Sequence, residues 1–146
     1  MLTETEERII TYFEVYQGNP ADSTLLIPAF EEHVRVIGKV PWAVATDRGL
    51  TSKANEAYLE ERAVQRISLP YRGRRSPPRR DYEYQRWFRR LQRWRAGQEA
   101  TISLGSRKYA WLHSQMRGHD GARIHFGWGI FAYDINRLAA LSRSAA

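Results

Sequence analysis

The 146 residues are 42% hydrophobic and 12% aromatic, enough to enclose one hydrophobic core, so a single domain is expected. Lys and Arg outnumber Asp and Glu by 23 to 16, a formal charge of +7 that points to a polyanionic partner, nucleic acid first. The chain has no cysteine, which excludes disulfides and thiolate metal sites. Its opening, MLTETEER, is acidic and unlike a signal peptide, and no apolar run reaches membrane-spanning length, so the expectation is a cytoplasmic protein with no membrane partner.

Residues 8–17, RIITYFEVYQ, carry the β-branched and aromatic content of a half-buried strand, stopped by Gly18, Asn19 and Pro20. Asp22 and Ser23 are placed to cap a helix running to about Ile37, with Leu26, Phe30, Val34 and Ile37 at helical spacing and Pro28 disturbing its first turns. Gly38 ends that helix. VPWAVAT, residues 40–46, is short and nearly all apolar, as suits a strand covered on both faces, and Asp47 stands at its carboxyl end before an Arg48–Gly49 turn. A helix over 52–62 and a strand over 64–70 complete a βαβ unit with a right-handed crossover. Ligands gather beyond the carboxyl ends of such strands, which is where Asp47 lies.

Residues 70–81, PYRGRRSPPRRD, read as an extended, mobile basic loop. From Tyr82 a helical pattern resumes through Trp87, Leu91, Trp94 and Ile102, weakening near Gly105, with half-buried core the expected use of its tryptophans. A loop with Gly118 and Gly121 precedes a last apolar helix over 124–142. The basic charge is concentrated between Arg72 and Arg95, where ten arginines face two acids, Asp81 and Glu83. Within this cluster Arg72, Arg74, Arg75, Arg79, Arg80, Arg89, Arg90, Arg93 and Arg95 are the expected phosphate contacts.

One acid, Glu99, follows directly. At four residues from Arg95 it would share a helical face with it and form an ordinary surface ion pair. Asp47 likewise has a plain use as a turn residue. Acids within a basic surface are also what metal-assisted phosphoryl chemistry requires, because Mg²⁺ takes oxygen ligands while the phosphodiester brings negative charge. The histidines, His33, His113, His119 and His125, show no metal-like spacing.

GNPADSTLL, TDRGLTSKANE, LPYRGRRSPPRR and QRWFRRLQRWRAGQEATIS, taken in order and spacing from about residue 11 to 141, resemble the C-terminal half of bacterial insertion-sequence transposases of the DDE type. The resemblance implies an α/β fold with an incomplete ribonuclease H-like core, a mixed sheet flanked by helices, and DNA as partner. It implies two divalent metals, Mg²⁺ or Mn²⁺, held by Asp, Asp and Glu, with Asp47 as the second acid and Glu99 as the third. The family's first Asp has no counterpart in this sequence. Gln92 and Ser106 stand where the family has Tyr and Lys, with Arg107 and Lys108 close by. The expectation is a truncated transposase, DNA-binding and capable of self-association, but inactive in strand transfer alone. The competing expectation is a non-enzymatic basic nucleic-acid-binding module. A basic amphipathic membrane binder fits poorly, because so many arginines lie in a Pro-rich loop.

Overall fold

The computed structural model describes residues 1–144 and is mixed α/β. The single expected domain resolves into two compact units. One comprises Met1–Asn19 with the chain from Gln98 onward, the other Pro20–Gly97.

The first unit begins with a hairpin that the sequence only half announces. Strand β1 (Leu2–Glu4) runs antiparallel to β2 (Ile10–Phe13), with Leu2 opposite Phe13 and Thr3 opposite Tyr12. The acidic opening stretch is thus a strand. Its turn is closed by the Thr5 N–H on the Ile9 carbonyl at 2.8 Å, with Arg8 in the left-handed region at φ 66°. The predicted strand over 8–17 is shorter in the structure, and the Met1 amino group bonds the Glu14 carbonyl at 3.0 Å just past its end.

Two helices complete this unit, α1 (Gln98–Lys108) and α2 (Gly118–Ser144). Ile10, Ile130 and Tyr133 form its buried centre, ringed by Leu2, Phe13, Leu104, Tyr109 and Trp111. The Tyr133 ring meets Tyr109 and Trp111 edge-on at 5.6 and 5.5 Å. The hairpin is fixed along one face of α2. His119 Nε2 bonds the Val15 carbonyl at 2.6 Å, Arg123 pairs with Glu14 at 3.3 Å, and Asp134 accepts the Ile10 N–H at 2.9 Å. Burial pushes the Asp134 carboxyl above its ordinary value, against the opposing pull of that N–H. The last helix starts six residues before the expected 124. His119 is engaged there, and Asp120 in the first turn complements the helix dipole, so Gly121 is helical and does not form a loop.

Gly105 does not weaken α1. The helix passes through it to Lys108 because the Trp111 ring lies directly over its Cα, and a Cβ there would stand 1.9 Å from Trp111 Cε3. Gly129 of α2 is constrained from the other side: a Cβ would fall 2.4 Å from the Tyr109 carbonyl and 2.8 Å from Trp111 Cδ1. A bulky ring held between two glycines lets the two helices approach across it.

The second unit holds helix α3 (Leu26–Ile37), preceded by a 3-10 turn at Asp22–Thr24. Leu25 occupies the position before the helix, so Asp22 and Ser23 do not cap it, and Pro28 is accommodated in the first turn, where its missing N–H has no helical acceptor to lose. Gly38, at φ 76°, ends it as expected. Strands β3 (Ala43–Ala45) and β4 (Arg66–Ser68) pair in parallel across α4 (Lys53–Glu61), which is the predicted βαβ unit. Ser52 caps α4 by accepting the Asn55 N–H at 3.0 Å. Leu26, Phe30, Leu50, Leu59, Ile67, Leu69 and Phe88 are buried in this unit.

The two strand pairs are separate sheets and form no single mixed one. Nor is 40–46 covered on both faces: Val40 and Trp42 are exposed, and Trp42 instead offers its ring to the Arg66 guanidinium at 5.8 Å. Pro41, lacking an N–H, confines the strand to the three residues after Trp42.

The basic stretch also departs from expectation. Ser76 and the two prolines after it start a helix, α5 (Pro77–Tyr84): the Ser76 hydroxyl faces the Arg79 N–H at 3.4 Å, and proline is at home in a first helical turn. Extended backbone at Gln85 (ψ 143°) then separates it from α6 (Arg86–Ala96), and Gly97 divides α6 from α1. The one long helix of the sequence pattern is three. Arg95 and Glu99 fall on different helices, so a four-residue spacing no longer places them on one face.

Replacing Gly105 or Gly129 with Ala is expected to destabilise the hairpin unit by about 1–3 kcal/mol through overpacking against Trp111. Urea unfolding followed by tryptophan fluorescence measures this; an unchanged midpoint for both variants contradicts the packing described.

Candidate nucleic-acid interface

The carboxyl ends of β3 and β4 are held by a single amide. Gln92 of α6 donates through Nε2 to the Ser68 carbonyl at 2.8 Å, the Ser68 hydroxyl at 2.9 Å and the Thr46 carbonyl at 3.2 Å. The Thr46 N–H reaches the same Ser68 carbonyl at 3.2 Å, extending the ladder one residue past β3. Ser68, fully buried, turns its hydroxyl to the Phe88 carbonyl at 3.3 Å. These bonds draw the basic helix α6 across the strand ends. No motif in the sequence singles out Gln92 for this role, since its chemistry depends on acceptors 24 and 46 residues away.

The arginine-rich stretch before α6 is tied down by Glu83. This buried carboxylate accepts the Tyr71 N–H at 2.7 Å, Arg79 Nε at 2.9 Å and Arg75 Nε at 2.8 Å. Arg79 also pairs with Glu56 at 2.6 Å, bonds the Leu69 carbonyl, and lies near the Tyr71 and Tyr82 rings at 5.8 and 5.4 Å. Burial lowers its affinity for the proton, but the two glutamates outweigh that and raise it overall. Arg79, named among the expected phosphate contacts, is thus engaged by two glutamates within the fold. The segment 70–76 is anchored at Tyr71 and Arg75, which a Pro- and Arg-rich composition does not suggest.

What remains of the arginine cluster converges. A cleft of about 1390 Å³ in this unit is lined by Arg48, Arg72, Arg75, Arg86, Arg89, Arg90, Arg93 and Arg95, with Asp22, Asp47 and Glu83 as its acids. Six of the nine arginines named from sequence share it; Arg74 and Arg80, both exposed, lie outside that lining. Arg48 and Arg86 join it without having been singled out, although each directly adjoins a residue that was considered. The exposed arginines of α6 recur at 86, 89, 90 and 93, one turn apart, while Phe88 of the same helix is buried in the core. Guanidiniums gathered over one concave surface suit a line of phosphates.

Asp47 stands on the rim of this cleft, two residues beyond β3, as the sequence placed it. Oδ1 accepts the Gly49 N–H at 3.0 Å, closing the turn, and Oδ2 faces Arg95 Nη2 at 3.4 Å. The carboxylate is half exposed, so the ion pair is worth no more than a fraction of a kcal/mol. The Asp22 carboxylate lies against Gly49, where a Cβ would be 2.4 Å from its Oδ2. Glu99 lies in the other unit, exposed in the first turn of α1.

A divalent metal needs several oxygen ligands at once. Both oxygens of Asp47 are engaged within its own unit, and among the described residues no three His, Asp or Glu side chains stand together as a metal site. Within its own unit Asp47 is thus held by a turn and an arginine and not by a cluster of acids. Of the histidines, His119 and His125 bond the Val15 and Ala110 carbonyls at 2.6 and 2.8 Å. No helix among the described residues is long and apolar enough to cross a membrane. Comparison with protein-family models, with curated proteins and with solved structures finds no match.

Substituting Gln92 with Leu is expected to cost about 1–3 kcal/mol, because the Thr46 carbonyl and Ser68 hydroxyl lose their donor, while Ser68→Ala alone costs less. Chemical denaturation of both variants gives the comparison, and equal stability of Gln92→Leu and the parent chain would refute the clamp.

Proposed function

We propose that this chain binds duplex DNA by its phosphate backbone, and that it does so as a catalytic-domain fragment of the DDE transposase type with a ribonuclease H-like ancestry. One observation carries the DNA-binding part: Arg48, Arg72, Arg75, Arg86, Arg89, Arg90, Arg93 and Arg95 line one cleft of one unit. Phosphate contacts of this kind position a duplex without reading its sequence, so preference among sequences is weak. The transposase part rests on the four sequence motifs and on the position of Asp47 beyond the end of a parallel strand. In that reading Asp47 and Glu99 are the second and third acids for Mg²⁺ or Mn²⁺.

A second reading, a basic nucleic-acid-binding module without catalysis, is favoured by the engagement of both Asp47 oxygens, one in a turn and one with Arg95. The two readings share the cleft and differ only in metal chemistry.

Anisotropy titrations with a labelled duplex separate them from non-binding. Affinity is expected to fall with salt at a log–log slope of about −0.9 per phosphate neutralised. Replacing Arg89, Arg90 and Arg93 together with Ala should flatten that slope by about 2–3 and weaken all duplexes alike. Salt-indifferent binding overturns the proposal. With Mg²⁺ or Mn²⁺ added, the purified chain is expected to leave DNA uncut; metal-dependent cleavage abolished by Asp47→Ala or Glu99→Ala would select the catalytic reading over the module.

A further inference from the structure

Helix α2 is apolar on more than the face it buries. Ile124, Trp128, Phe131, Ile135 and Leu138 are 52, 66, 55, 49 and 52% exposed, although they are among the largest apolar side chains of the chain. Their spacing is four, three, four, three, the seven-residue repeat by which one helix presents a straight seam to another. The seam lies roughly a third of a turn from the face carrying Arg123, Ile130, Asp134 and Arg137, at about 100° per residue. That face is already occupied by the hairpin: Arg123 pairs with Glu14, Asp134 accepts the Ile10 N–H, and Arg137 Nε bonds the Glu7 carbonyl at 2.7 Å.

We propose that this seam is a self-association surface, on which α2 of a second copy of the chain packs. Three properties favour that occupant. The seam contains no charge between Ile124 and Leu138, and Ala132 and Ala139 beside it are small and neutral. A partner with an equally uncharged apolar face is required, and a second α2 is such a face. An acidic lipid surface would call for several free cations along the seam, whereas Arg123 and Arg137 are bonded to the hairpin and Arg143 lies past its last residue. The exposed apolar area, about 100 Å² from each half-exposed aliphatic and more from the aromatics, is on the order of 600 Å² per copy, so two copies bury the lower range of a specific interface. Trp128 and Phe131, edge to face at 5.8 Å, sit in the middle half of the seam and are the residue types that anchor interfaces. The small side chains at 132 and 139 leave room for an opposing large one.

Sedimentation velocity of the full chain over a range of concentrations tests the proposal without reference to DNA. A reversible dimer is expected, and Trp128→Ala combined with Ile135→Ala should raise its dissociation constant roughly 100-fold. Alanine keeps helix propensity, so the far-ultraviolet circular dichroism should stay unchanged. Asn136→Ala, off the seam, should leave association as it is. The proposal is overturned by a monomer at every concentration, or by a dimer that survives the double substitution. It is equally overturned if the monomer binds phosphatidylserine vesicles with a blue shift of Trp128 fluorescence that Trp128→Phe removes. Should the double variant lose helix signal, the single Ile135→Ala variant is read on the same scale, with a dissociation constant within threefold of the parent counting against the seam.

Discussion

A carboxamide on a basic helix governs the second unit. Gln92 carries no charge in a stretch of arginines, and its neutrality matters: the acceptors it meets are a hydroxyl and two carbonyls at the ends of a parallel pair. An arginine there would bring a charge into a partly buried place, and a hydrophobic residue would leave the strand ends without a donor. Because the amide satisfies them, α6 can lie close to the βαβ core with Phe88 buried beneath it and its guanidiniums turned outward. The concave basic surface is a result of that docking. Charge alone would spread arginines apart; the helix holds them at fixed spacing because its apolar side is anchored.

A similar division of labour explains the Pro- and Arg-rich stretch. Glu83, buried and surrounded by Arg75, Arg79 and the Tyr71 N–H, compensates part of the local positive charge and ties the backbone to the core. Removing water from a carboxylate is costly unless its partners replace the lost hydration, and three donors do so here. Arg79 is enclosed and stabilises the fold, while Arg74 and Arg80 stay exposed.

Local signals in the sequence sufficed where the structure is local. Gly38 as a helix end, the helix over 52–62, the βαβ order and the position of Asp47 depend on residues within a few places of one another. Long-range constraints were hidden for the same reason. β1 is recognisable only beside β2, Gly105 is explained only by Trp111 and Gly129, and Gln92 acts on Ser68 and Thr46. The breaks at Gln85 and Gly97 were obscured by a hydrophobic rhythm that continues across both, since periodicity records which faces are apolar and not where the backbone turns. Arginine density in the sequence marked the stretch from which six of the nine named arginines line one cleft. It could not show that Arg79 is enclosed by Glu56 and Glu83 while Arg48 and Arg86 reach the cleft.

The first unit is assembled from both ends of the described chain, with Pro20–Gly97 intervening as a continuous segment. That connectivity has a kinetic consequence. β2 and α2 meet only after 78 residues (from 20 to 97) have been looped out, an entropic cost on the order of 4 kcal/mol for a flexible chain. The βαβ segment needs no such closure, since its contacts lie within itself, and it is the natural first structure to form. Once folded, it replaces a long floppy loop with a body whose ends are fixed, so the search that unites hairpin and last helix becomes shorter. Until then the ring of Trp111 and the Ile130 and Tyr133 side of α2 remain uncovered, which makes the interval between the two events the one in which this chain is most exposed to aggregation.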